Sequence, residues 1–209
     1  EAAQDKPVAG FHAKGVFDKV VEIDTCHLQK EPTNELRNVI ADYARKHQLS
    51  FYDIKLHTGF LRNMQIRMAT TQELMVHIVF GYENVSERVP LLDFVATSFP
   101  QITTLLYSIN TKFNESLYDI TPVAYNGPGY IMEKLEDYIF KISPKSFFQT
   151  NSKQTEKLYG IARDFAELSG TQNVYDLYCG TGSIGIFCSK QAAKIIGVEV
   201  IPDAVEDAQ

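Results

Sequence analysis

The segment Asn173-Val-Tyr-Asp-Leu-Tyr-Cys-Gly-Thr-Gly-Ser-Ile-Gly-Ile-Phe187, followed by Lys194-Ile-Ile-Gly-Val-Glu199, leaves this chain little freedom of fold. It reads as a strand, a glycine-rich turn, a helix and a second strand ending in a carboxylate. The first strand carries Asp176 and Tyr178 to its carboxyl end, and Gly180 and Gly182 let the turn bend and a ligand approach the backbone. The helix from Ser183 aims its N-terminus at the same place. Glu199, at the tip of the next strand, is placed to accept hydrogen bonds from two ribose hydroxyls. This order is half of a nucleotide-cofactor site on an α/β framework.

The rest of the chain sets limits. At 209 residues, 44% of them hydrophobic and 22% charged, it has material for one large or two small domains. No apolar run approaches the roughly 20 residues that span a bilayer. Residues 1–15 carry charges and glycines instead of a signal-peptide stretch, so a cytoplasmic protein without membrane partners is expected. Cys26, Cys179 and Cys188 are odd in number and lack close ligand spacing, which argues against a disulfide scaffold or a self-contained zinc site. His12, His27, His47, His57 and His77 are dispersed and form no metal pattern. The net charge of −6 disfavours a freestanding nucleic-acid binder, so any RNA role must draw on local basic clusters or on surface outside this chain.

Along the chain, Val16 to Ile23 has strand character. A helix opens at Pro32-Thr33, with Leu36, Val39, Ile40, Tyr43 and Ala44 in one stripe and Arg37, Asp42, Arg45 and Lys46 facing outward. Met64, Ile66 and Met68, then Leu74, Val76, Ile78 and Phe80, alternate as a hairpin. Arg62 and Arg67 flank its first strand, either as RNA phosphate contacts or as exposed sheet edge. Ser86 caps a helix reaching Ser98, with Val89, Leu92, Val95 or Ala96, and Phe99 inward, and Thr103 to Asn110 returns to strand. After the turn at Asn126-Gly-Pro-Gly129, Tyr130 to Ile142 forms two short strands around Glu136-Asp137, with a helix as the rival reading. Asn151 and Gln154 form a capping box for a helix whose apolar face is Leu158, Ile161, Ala162, Phe165 and Leu168, ended by Gly170. The domain boundary is placed near Ser143-Pro144.

Gly180-x-Gly182-x-x-Gly185 also satisfies the dinucleotide fingerprint. A dinucleotide needs a helix N-terminus for its pyrophosphate, whereas S-adenosylmethionine has no phosphate and carries an ammonium group and a sulfonium. Asp176, four residues before Gly180, suits the ammonium. A NAD-binding domain stays open on the glycines alone but leaves the segment around Phe147-Phe-Gln-Thr-Asn151 without a purpose.

Ile142-Ser-Pro-Lys-Ser-Phe-Phe-Gln-Thr-Asn151, Asp176-Leu-Tyr-Cys-Gly-Thr-Gly-Ser183 and Gly197-Val-Glu199 together resemble the RNA 5-methyluridine methyltransferases, the ribosomal and transfer RNA (uracil-5-)-methyltransferases, and most of all the branch acting on 23S ribosomal RNA. The resemblance is strong over residues 130–209. It is weaker but visible in Gly10-Phe-His-Ala-Lys14 and Val21-Glu-Ile-Asp-Thr-Cys26. It implies an α+β middle domain over residues 1–143, followed over 144–209 by the incomplete start of a Rossmann-like S-adenosylmethionine-dependent methyltransferase domain. It further implies cofactor contacts from Gln149, Tyr178, Ser183 and Glu199, beside the Asp176, Gly180 and Gly182 already singled out. Ser183 stands where the family often has Asn, and simple core packing is the alternative for Tyr178.

The same resemblance implies that the thiolate that attacks carbon 6 of uracil, and the glutamate that removes the carbon 5 proton, lie beyond Gln209. No catalytic residue is then expected in this span, and Cys179 belongs to the cofactor loop. Cys26 matches the fourth cysteine of an iron-sulfur cluster found in some bacterial members; the other three are absent here, so an ordinary free cysteine is the favoured reading in this span and a cluster stays open for the full-length protein only. The implied parent uses S-adenosylmethionine to methylate a uridine of ribosomal RNA, and the span alone is expected to be inactive. Transfer RNA, another methyl acceptor, or a noncatalytic RNA-docking role are the alternatives.

Overall fold

The computed structural model describes residues 8–209 as two compact units. The first runs to Gly127 apart from the turn Ala69–Glu73, which groups with the second, Pro128–Gln209.

The first unit begins with a small antiparallel pair, β1 (Gly10–His12) and β2 (Val20–Glu22). The expected strand over Val16–Ile23 is therefore shorter, its first half being turn. Helix α1 (Thr33–Lys46) follows, then β3 (Leu61–Met68), β4 (Leu74–Phe80), α2 (Val85–Ser98), β5 (Thr104–Ile109) and β6 (Val123–Asn126). The sheet order is β3-β4-β5-β6, with only β4 and β5 parallel. Parallel neighbours need a crossover, which α2 supplies. The two helices bury Leu36, Ile40, Ala44, Leu91, Leu92 and Val95 against Leu74, Val76, Ile78, Phe80 and Leu105, the face on which the alternation of the hairpin converges.

Three expectations are corrected here. Arg37 is buried rather than outward, because its Nη2 donates to the Ile23 carbonyl (3.0 Å), the Asp24 carbonyl (2.9 Å) and Asn34 Oδ1 (3.2 Å), closing the loop before α1 onto the helix. Arg62 is neither exposed edge nor phosphate contact. Its Nη1 and Nη2 are spent on the carbonyls of Asn110, Lys112 and Asn114 and on Glu115, with the side chain 1% exposed. Helix α2 has Asn84, not Ser86, at its N-cap; the Ser86 hydroxyl donates back to Asn84 Oδ1.

In the second unit β7 (Ile131–Leu135) and β8 (Tyr138–Ile142) form the expected hairpin around Glu136-Asp137. Helix α3 (Ser152–Phe165) is capped as its sequence suggested, Asn151 Oδ1 accepting from the Gln154 N–H at 3.2 Å. Strand β9 (Asn173–Leu177), α4 (Ser183–Cys188), a 3₁₀ turn (Ser189–Gln191), β10 (Lys194–Val198) and α5 (Pro202–Asp207) complete it. The core joins Leu135, Phe140, Tyr159 and Phe187. The expected apolar face of α3 is the wrong one: Leu158, Ile161 and Phe165 are exposed, and the helix buries Thr155 and Tyr159. Tyr159 meets Phe187 edge-on and its hydroxyl finds a partner, so it takes the inward position that purely apolar residues were assigned. The helix also stops at Phe165, before Gly170. Among the described residues no helix is long and apolar enough to cross a membrane.

Candidate cofactor site

Strands β9 and β10 are parallel, in register from Asn173 opposite Lys194 to Leu177 opposite Val198. Both carboxyl ends therefore point the same way, and the glycine loop leaving β9 meets Glu199 leaving β10. The Glu199 carboxylate accepts from the Gly180 N–H through Oε2 (2.8 Å), and from Val200 and Ile201 N–H through Oε1 (2.7 and 2.8 Å). Those three bonds, Ile201's first, hold it below the usual carboxylate range. It is ionised at neutral pH. A carboxylate has about four lone-pair sites, so Oε2 keeps a free one for a ligand hydroxyl.

The loop's backbone is set in a conformation that ordinary side chains avoid. Tyr178, Gly180 and Gly182 have φ of 60°, 56° and 70°. Glycine adopts this region at no steric cost; tyrosine does not, at about 1–2 kcal/mol. Tyr178 is also 92% exposed, so core packing does not explain it. A Cβ built on Gly180 would meet nothing within 4 Å, so the space beside the loop is open.

Asp176 lies behind the loop. Its Oδ2 accepts from Gly185 N–H within α4 at 2.9 Å, which leaves Oδ1 wholly free for a ligand, and burial raises its pKa above the usual value. The same closeness explains two glycines. A Cβ on Gly185 would lie 2.8 Å from Asp176 Oδ2, and one on Gly197 would lie 2.9 Å from the sulfur of Cys179. Cys179 thus turns back onto β10. Burial, then the charges of Asp176 and Glu199, push its thiol up, which is the reverse of what a nucleophile needs. Cys188 is buried at the end of α4.

Ser183, the first residue of α4, shares a 2.9 Å hydrogen bond with the Tyr159 hydroxyl. Tyr159 was missed in sequence because it sits one position off the apolar stripe. Thr181 was also passed over: it is 2% exposed, and its Oγ1 has no partner among the described residues. Gln149 lies just before α3. It is exposed on a groove it shares with Asn151, Gln154, Leu158 and Ile161, and no hydrogen bond among the described residues joins it to the loop. Asp176, Tyr178, Gly180, Gly182, Ser183 and Glu199 thus sit along the loop that joins β9 to α4 and at the end of β10, and Gln149 belongs to the segment before α3. No group of three metal-ligating side chains occurs among the described residues.

A scan against protein families matched none. Among curated proteins the chain is 46% identical over 203 residues to an uncharacterized RNA methyltransferase of Bacteroides thetaiotaomicron, covering 96% of this chain and 45% of that protein. It is 47% identical over 202 residues to another from Porphyromonas gingivalis, covering 96% and 43%. The chain spans a little under half the length of these relatives. Among solved structures it matches the Pyrococcus abyssi tRNA (uracil-54, C5)-methyltransferase in complex with S-adenosyl-L-homocysteine, with a TM-score of 0.76 and 29% identity over 95% of this chain and 47% of that one. The fold is that of the corresponding part of an S-adenosylmethionine-dependent methyltransferase.

Proposed function

We infer that this span is the middle domain and cofactor loop of an S-adenosylmethionine-dependent RNA methyltransferase whose acceptor is carbon 5 of a uridine in ribosomal RNA. The single observation that carries the cofactor reading is the exposed Tyr178, held at φ 60° beside a glycine loop whose Gly180 N–H is bonded to Glu199. A strained, exposed aromatic persists where the strain serves a ligand. The residues fit the cofactor: Tyr178 offers a flat wall, Gly180 an open approach, Glu199 an ionised acceptor, and Asp176 Oδ1 a partner for the ammonium. Ser183 and Gln149 are the remaining positions assigned to it.

Bound there, S-adenosylmethionine supplies the methyl group. The chain's own part is to hold and orient, since neither Cys179 nor Cys188 is activated as a nucleophile: burial raises both thiols. The resemblance in sequence supports ribosomal RNA, and the solved relative is a tRNA (uracil-54, C5)-methyltransferase, which makes transfer RNA the second reading.

The test uses the intact polypeptide and methyl-tritiated S-adenosylmethionine. Label in 5-methyluridine of ribosomal RNA, lost by roughly 10-fold or more in Glu199→Gln from removal of a charged hydrogen bond, is the expected result. Label confined to transfer RNA selects the second reading. Cofactor binding without transfer to any RNA reduces the span to a docking role.

A further inference from the structure

A groove in the first unit runs between the open edges of two sheets. It is lined by Gly10, Phe11 and His12 of β1, by Met64 and Ile66 of β3, and at its wall by Arg37 of α1. Ala13 N–H donates to the Lys19 carbonyl, and the register carries that bonding to Phe11 opposite Val21. The backbone groups of Gly10 and His12 consequently point away from β2. On the other side Ala69 N–H donates to the Glu73 carbonyl, so Arg67 and Gln65 bond to β4, and Met64 and Ile66 present N–H and C=O outward. Further along β3 the outer edge is already filled, Leu61 N–H donating to Ser50 and Tyr52 N–H donating to Leu61. Among the described residues the edge is thus covered at one end and open beside the groove.

Arg37 adds an independent observation. It is 5% exposed, and its Nε and Nη1 have no acceptor among the described residues. Buried donors of this kind are rare in a completed fold. What fills the groove must bring acceptors to Arg37, donors and acceptors to two strand edges, and apolar surface to Phe11, Phe51, Leu61 and Ile78. RNA meets these needs poorly, because both terminal nitrogens of Arg62 are already bonded internally and the chain carries a net charge of −6. An extended polypeptide meets all of them.

More than half of each curated relative lies outside the matched span. We propose that the groove is a strand acceptor, occupied by an extended segment of the full-length polypeptide from outside residues 1–209. That segment pairs with Gly10 and His12 on one side and with Met64 and Ile66 on the other, gives its carbonyls to Arg37, and joins the two sheets into one. The inference does not depend on the cofactor reading.

Amide hydrogen exchange tests it, measured in the 209-residue chain and in the intact polypeptide. The Met64 and Ile66 amides should exchange at least about 100-fold more slowly in the intact polypeptide, while Gln65 and Arg67, bonded to β4 in both, stay protected and report that the sheet is folded. Equal rates at Met64 and Ile66 in the two forms would overturn the proposal. So would protection in the 209-residue chain that rises with its concentration, which makes a second copy the occupant, or protection that appears only when RNA is added.

Discussion

Strand β4 in the first unit and strand β9 in the second have opposite surroundings. All seven residues of β4 are buried, and none of the five in β9 is. β4 lies inside its sheet under two helices, so its side chains are chosen for packing. β9 pairs on one side only, with β10, and its Tyr175 and Leu177 are more than 60% exposed. What β9 contributes is its end, where three left-handed backbone positions fall within five residues. The first unit stores stability and the second displays a loop, so equal substitutions in the two should have unequal effects.

The widest gap is expected from leucine truncation. Leu92→Ala, at a fully buried site, should cost about 2–5 kcal/mol, and Leu177→Ala under about 0.5 kcal/mol. Urea unfolding measures both, and similar losses would erase the distinction between the units.

Acid should act on the first unit next. His77 is fully buried, its Nε2 paired with Ser108 Oγ at 2.9 Å, and burial with the charge of Arg67 lowers its pKa from 6.5 to about 4. The unfolded chain takes up this proton below 6.5 and the folded chain only below about 4. Stability from His77 is therefore complete above pH 6.5, falls as pH drops through that window, and is gone below about 4. The loss is on the order of 3 kcal/mol. Urea midpoints at pH 7 and 4.5 should show this slope in the natural chain and a flatter one in His77→Gln.

A smaller effect, of opposite sign, belongs to the second unit. Tyr178→Gly should raise stability by about 1 kcal/mol by relieving the left-handed strain, while weakening S-adenosylmethionine binding in the intact polypeptide. Calorimetry and thermal unfolding read the two quantities separately. If the substitution destabilises the fold, Tyr178 is a packing residue after all. The smallest effect rests on the proposed uracil chemistry: Cys179→Ala in the intact polypeptide should leave covalent trapping by 5-fluorouridine RNA unchanged. Loss of the adduct with folding and cofactor binding retained would make Cys179 the nucleophile.

Much of this was legible in the residues themselves. The hairpin of β3 and β4, the two strands around Glu136-Asp137, the Asn151 cap and the strand-loop-helix-strand order through Glu199 all follow from short-range patterns: alternation, glycine at positive φ, a cap side chain near its own helix. Arg37 and α3 were misread for a common reason. Amphipathic spacing identifies a stripe without saying what covers it, and polar type suggests solvent without knowing which carbonyls are near.

The sequence by itself determined where the chain bends and where the glycine loop falls, because backbone preferences act over a few residues. Only the tertiary structure decided that Glu199 closes onto Gly180, that Asp176 accepts from Gly185, that Tyr159 reaches Ser183, and that α3 turns its apolar stripe outward. Each of these joins separate elements of the chain, and burial and hydrogen-bond satisfaction over such separations depend on the packing of the whole unit.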